Sequence, residues 1–355
     1  MRPKINELDV VRAIAIIAVV LIHSTSEATV LPAAGSLLHK FFYWTNTLGA
    51  FAVPVFVIIS GIVLFYKYYD QWTARDSITF YKKRVISVVY PYLAFSIFYY
   101  LFNQILFSQT VTVDIGAFLN LLPWGKAGYH LYYMILICQF YLLFPILMTL
   151  TKKSRLFERN LALIGLLIQG GFYVYVHWFH NIPHRATLSV TYFALFLIGA
   201  VIGIHYHTIV KWIERHTLWL MPLAILTGCL YVGLNWSLKY DQVPIETTWI
   251  MLAYNTYALL MAVALIGAGK HLMKLSPKVS TIMLRLGKAS FGVYLLHPAI
   301  LSLYKRFFPP SGGVAAFSFN ILGGFLTALL LTWLLVEIYY LLKKRIMPSK
   351  KKSMQ

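Results

Sequence analysis

Charged side chains are scarce in this chain. They make up 12% of its 355 residues, against 59% hydrophobic residues, and mean hydropathy is +0.70. That shortage excludes a soluble globular protein, whose interior could not hide so much apolar surface. Acids are the scarcer sign, with 11 Asp and Glu against 31 Lys and Arg, and the net charge is +20. In a soluble protein such a balance would suggest nucleic acid. Here Lys and Arg collecting in cytoplasmic loops account for it, and no nucleic-acid partner is expected. Cysteine is nearly absent: Cys138 and Cys229 lie inside apolar segments and provide neither a disulfide framework nor metal-ligand spacing. The first apolar block lacks a small-residue cleavage motif and reads as a retained span. There is no internal repeat, low-complexity tract or loop long enough for a soluble domain.

What the chain does have is apolar blocks of about 20 residues, the length a helix needs to cross a bilayer. They are continuous rather than alternating, which favours helices over a barrel. The expected fold class is an all-α integral membrane protein with about ten transmembrane helices. Its spans fall near 9–27, 47–66, 84–107, 129–150, 160–178, 187–206, 217–235, 248–269, 288–306 and 314–342. Of the 31 basic residues, 24 fall in the N-terminus, the even-numbered connections and the C-terminal tail. The alternate loops hold six: Lys40, Lys126, Arg185, Lys239, Lys305 and Arg306. This split predicts both termini in the cytoplasm. The expected organisation is one transmembrane domain, 1–345, and a basic cytoplasmic tail, 346–355.

The remaining cation, Arg12, lies within the first span, where topology does not require one. Eleven residues turn through about 1100°, so Arg12 and His23 share a face to within about 20° and stand roughly 16 Å apart. Asp9 and Glu27 extend the same stripe at spacings of three and four. Charges at membrane depth normally face a protein interior or a water-filled cavity. The same residues also fit a plainer reading, an interfacial Asp9–Arg12 ion pair and one hydrogen-bonded core histidine.

Four local patterns carry a resemblance. They are Asp9-x-x-Arg12-(x10)-His23; Pro54-Val-Phe-(x3)-Ser60-Gly61; His130-Leu-Tyr-(x6)-Gln139-Phe-Tyr141-Leu-Leu-Phe-Pro145; and Ser290-Phe-Gly292-x-Tyr294-Leu-Leu-His297-Pro298. Each is weak alone, but in this order the chain resembles the acyltransferase-3 family of integral membrane acyltransferases along nearly its whole length. Tyr132 stands where Trp is usual. The family's Arg-x-x-Arg element before the third-span proline is reduced to Lys82-Lys83-Arg84, with Ser87 at the second position. The chain is similar to stand-alone members acting on surface polysaccharide, those of the intercellular-adhesion type included, rather than to members with an added esterase-like domain.

The resemblance implies a multi-pass enzyme of the bacterial cell (plasma) membrane. Acyl-CoA is the expected donor substrate, acetyl or succinyl, and an extracytoplasmic glycan or lipid-linked sugar is the expected acceptor. Acyl transfer to a hydroxyl needs a base; histidine suits that task by its unperturbed pKa near neutrality, and the family pattern implies His23. Glu27 is a candidate to orient the imidazole, or else a solvated loop acid. Lys82, Lys83 and Arg84, with Arg12, are the candidates for the donor's phosphates, although positive-inside topology accounts for the loop cations without a ligand. Asp9 reads as the partner of Arg12. Ser60, His130 and Tyr294 are candidates for hydrogen bonds across helices, and His297 fits either a core or a site-lining role. His177, His180 and His184 lack an acidic or Cys companion, and no metal is expected. A polysaccharide exporter and a scaffold of a polysaccharide synthase remain alternative functions. Beyond the bilayer, donor and acceptor, such synthase machinery is a further candidate partner.

Overall fold

The computed structural model describes residues 2–108, 110–179, 182–310 and 312–346. In chain order its helices are α1 (Glu7–Thr25), α2 (Leu37–Leu48), α3 (Ala52–Tyr68), α4 (Asp76–Arg84), α5 (Tyr90–Asn103), α6 (Ile115–Leu121) and α7 (Tyr132–Lys153). They continue with α8 (Arg155–Arg159), α9 (Leu161–Trp178), α10 (Phe193–Ile204), α11 (Tyr206–Lys239), α12 (Thr247–Leu275), α13 (Pro277–Phe307) and α14 (Val314–Ile346). Among the described residues there is no strand. Nine helical stretches among them are long and apolar enough to cross a membrane. The chain is an all-α polytopic membrane protein.

The structure departs from the sequence expectation in three places. The sixth expected span, 187–206, is a shorter apolar stretch, Ser189–Ile204. Its α-helix starts only at Phe193 because side chains hold the preceding turns. Gln139 donates to Thr187 O at 2.8 Å and accepts from Ser189 N at 2.9 Å, while Gln169 accepts from Ala194 N at 2.9 Å. Second, most of the expected loop 28–46 forms α2, started by Ser36 accepting from His39 N at 3.2 Å. Third, the expected loop 270–287 is almost wholly helical. The chain bends at Ser276, and Pro277 opens α13, where a missing N–H costs nothing.

The chain forms two compact units. One comprises Met1–Ile5, Val53–Tyr231 and Glu246–Lys270. In it α3 and α10 meet backbone to backbone: a Cβ on Gly61 would lie 2.2 Å from Phe196 O, and one on Gly199 2.4 Å from Ile58 O. Small residues permit this approach, and between membrane helices close packing replaces the hydrophobic drive. Phe65, Phe80 and Phe144 fill the adjoining aromatic core. Arg2 fastens the N-terminal segment by an ion pair to Asp70 at 2.6 Å and by donating to the carbonyls of Gly203 and Ile204.

The second unit comprises Asn6–Ala52, Val232–Ile245 and His271–Gln355. It contains α1, α2, α13 and α14. α1 is buried along most of its length, with Leu8, Val10, Val11, Ala13, Ala15, Ile16 and Val20 fully enclosed. A single-span anchor would expose such residues to lipid.

Candidate functional site

α1 and α13 meet at three levels, each bringing chemically distinct groups together. At the first, Gly287 lies against the α1 backbone, where a Cβ would fall 1.8 Å from Asp9 O. At the second, the His23 and His297 rings stack with centroids 5.3 Å apart and planes at 30°. At the third, the Lys305 ammonium lies 2.9 Å from the Glu27 carboxylate. Both residue numbers rise from level to level, so the helices run parallel. This is the relation expected of a first and a ninth span in an alternating chain. α14 returns antiparallel: Gly292 faces Val336, and Tyr304 faces Gly323.

The histidine pair is held from several sides. His297 is fully buried, and its Nδ1 lies 3.0 Å from Val293 O. A carbonyl only accepts, so Nδ1 carries the hydrogen and Nε2 is the basic nitrogen of the neutral ring. Pro298 follows directly and has no N–H to give Tyr294 O in the turn below. The Tyr294 ring is buried 6.4 Å from that of His297. His23 is half-buried near the end of α1. Asn46 of α2 holds that end, donating to Ile22 O at 2.7 Å and Thr25 Oγ1 at 2.9 Å. At the other end of α1, Arg12 donates to Asp9 Oδ1 at 2.7 Å, and Asp9 is almost fully buried.

The first unit holds the other candidates. Lys82 and Lys83 are exposed in the last turn of α4, before a π-helical turn, Val85–Val89. The Arg84 guanidinium lies over the Tyr141 ring at 4.4 Å and the Phe80 ring at 5.0 Å. Its buried Nε has no hydrogen-bond partner among the described residues. The Ser60 hydroxyl donates to Phe56 O of its own helix at 2.8 Å, a bond within a helix rather than the expected one across helices. His130 is buried edge-on to Tyr99, with centroids 4.8 Å apart. Of the three spaced histidines, His177 pairs with Glu246 at 3.2 Å, His184 packs against Trp124, and His180 lies outside the described residues. The described residues include no group of three potential metal ligands.

Sequence reasoning missed Lys305, which it counted among loop cations, and Asn46. A signal for Lys305 was present. Eight residues separate it from His297, two helical turns on one face, as four separate Glu27 from His23. Asn46 had no comparable signal, since its partners are a carbonyl and a hydroxyl on another helix.

A family model described as an acyltransferase domain matches residues 5–337, and the chain belongs to this acyltransferase-3 family. It is 25% identical over 315 residues to a probable poly-beta-1,6-N-acetyl-D-glucosamine export protein of Staphylococcus aureus (strain MSSA476), covering 83% of this chain and 82% of that protein. A Staphylococcus epidermidis protein of the same description is 25% identical over 320 residues, covering 84% and 82%. No solved structure matches. The family and the apolar helices identify a multi-pass bacterial membrane protein.

Proposed function

We propose that this protein is a membrane-bound O-acyltransferase. It moves an acyl group, acetyl or succinyl, from cytoplasmic acyl-CoA to a hydroxyl of an extracytoplasmic or surface glycan. The observation that carries this reading is the stacking of His23 on His297, which joins the first and fourth family patterns. An imidazole in its neutral form can take a proton and so act as a base. His23, the more open of the two, takes the proton of the acceptor hydroxyl as its oxygen attacks the thioester carbonyl. The tetrahedral intermediate then collapses, the C–S bond breaks, and the coenzyme A thiolate leaves with the proton returned by His23. His297, fixed through Nδ1, orients its neighbour.

The 24-to-6 division of basic residues supports cytoplasmic termini, with Arg12 toward the cytoplasm and His23 toward the outside. Lys82, Lys83, Arg84 and Arg12 are then candidate cations for the donor's phosphates. An Nε of Arg84 without a hydrogen-bond partner among the described residues suits such an anion. The glycan acceptor follows the names of the relatives, which concern a polymer of N-acetyl-D-glucosamine. Those names also favour a second reading, export of the polysaccharide itself. Glycan mass spectrometry on cells with and without the gene separates the two. Surface glycan lacking an acyl mass increment supports transfer; glycan retained inside with unchanged acylation refutes it and supports export.

A further inference from the structure

The Glu27–Lys305 ion pair has a position that a merely structural salt bridge would not need. Glu27 follows α1 directly, and four residues of helical rise place it about 6 Å beyond His23. Its side chain is 44% exposed and that of Lys305 21%, whereas His297 is fully buried. The pair is therefore reachable from outside, and the histidines lie one turn further in. A carboxylate beside an ammonium offers an acceptor and a donor at adjacent points. That is the complement of two neighbouring sugar hydroxyls, one donating and one accepting.

The segment after Glu27 is fastened to aromatic rings. His39 Nε2 lies 3.1 Å from Thr29 O and 3.1 Å from the Tyr240 hydroxyl. Tyr43, Trp236 and Tyr240 pack around His39 with centroids 4.8 to 6.1 Å away. The half-buried Trp236 and Tyr240 rings lie 4.5 Å apart, and Lys40 and Lys239 sit over faces of this cluster. Rings with an apolar face and a polar edge suit the C–H faces and hydroxyl rims of pyranoses. Of these residues Lys40 and Lys239 are exposed, while Trp236 and Tyr240 are half-buried.

We infer that Glu27 and Lys305 form the acceptor subsite, a clamp for two neighbouring hydroxyls of a hexopyranose. The aromatic cluster supports the next sugar of the chain. The clamp holds the sugar one turn outside the histidine pair, so a further hydroxyl of the same ring points inward to His23. Glu27 is thus a positioning residue for the acceptor rather than for the imidazole. This assignment rests on the proposed acyl transfer.

The test uses purified full-length protein and a β-1,6-linked N-acetylglucosamine oligomer as probe. Binding is measured in a His23→Ala background and acceptor kinetics with His23 intact. Loss of one charge-assisted hydrogen bond corresponds to roughly tenfold weaker binding. Glu27→Gln and Lys305→Met are each expected to weaken probe binding and raise the acceptor KM by about that factor, with the pH dependence of kcat unmoved. The exchange Glu27→Lys with Lys305→Glu is expected to restore Tm, because the ion pair persists in reverse. A fall in kcat with a displaced pH profile and unchanged KM would make Glu27 an orienting partner of His23 and overturn the subsite. Unchanged binding in both single variants would also overturn it. If the intact protein transfers no acyl group to the probe, the proposed function fails, while probe binding still reports on the clamp.

Discussion

Gly287→Ala tests the contact on which the α1–α13 pairing depends. The new Cβ would fall 1.8 Å from Asp9 O and 2.6 Å from Asp9 C. Real Cβ contacts essentially never lie under 3.0 Å, so the helices must separate there by at least 1.2 Å, the difference from 1.8 Å. Both obstructing atoms are backbone, and no side-chain rotation relieves the clash. Overpacking of this kind costs about 1–3 kcal/mol, and more where backbone must move. The His23–His297 stack lies further along the same two helices, so it is displaced as well. A misplacement of about 1 Å typically costs about 100-fold in rate. Gly233→Ala is the control, because its Cβ meets nothing within 4 Å. There the exchange should be neutral or stabilising by about 0.5–1 kcal/mol, from the lower entropy of Ala in the unfolded chain. Thermal melting in detergent and single-turnover acyl transfer read out both variants. Gly287→Ala should melt lower and transfer at least tenfold more slowly, while Gly233→Ala should do neither. If Gly287→Ala melted and transferred like Gly233→Ala, the parallel pairing would be wrong.

Asp9→Asn removes the partner of Arg12; breaking a buried pair costs about 3–5 kcal/mol, and the 28% exposure of Arg12 points to the lower end. The double variant Asp9→Asn/Arg12→Met should recover much of the lost Tm while losing donor affinity, and recovery of both would remove Arg12 from donor binding. Asn46→Ala deletes two hydrogen bonds at the end of α1, worth about 1–3 kcal/mol together, and hydrogen exchange should rise around Ile22–Thr25. The Arg2 guanidinium holds the Asp70 carboxyl below its ordinary range, chiefly by hydrogen bonding. A depressed folded-state pKa stabilises above the unfolded value of about 3.9 and is lost as pH falls through the lowered one. Proteolysis of the N-terminal segment should therefore rise only below about pH 4 in the wild type, whereas Arg2→Gln should be cleaved readily at neutral pH.

The helical membrane class was legible because apolar blocks report directly on bilayer thickness. Arg12, His23 and Asp9 were legible for a related reason: they are costly at membrane depth and share a face by spacing alone. The amphipathic pieces were not. Leu37–Leu48 interleaves Leu and Phe with His39, Lys40 and Asn46, which mean hydropathy cannot separate from a loop. Residues 270–287 carry four Lys and Arg yet are almost wholly helical, since charge marks topology rather than chain geometry. The short α10 was hidden because Gln139 and Gln169, distant in sequence, determine where it begins. Sequence spacing placed Glu27 on the face of His23. Its ion pair with Lys305 depends on tertiary pairing of α1 with α13, which intrahelical periodicity does not encode.

The central claim is that the His23–His297 pair performs acyl transfer. The direct measurement is single-turnover transfer from radiolabelled acetyl-CoA or succinyl-CoA to an N-acetylglucosamine oligomer by purified protein, comparing wild type, His23→Ala and His297→Gln. Transfer should fall by at least about 100-fold in His23→Ala, the scale of a general base. A smaller loss with a displaced pH profile is expected in His297→Gln. Transfer by His23→Ala at the wild-type rate would contradict the claim.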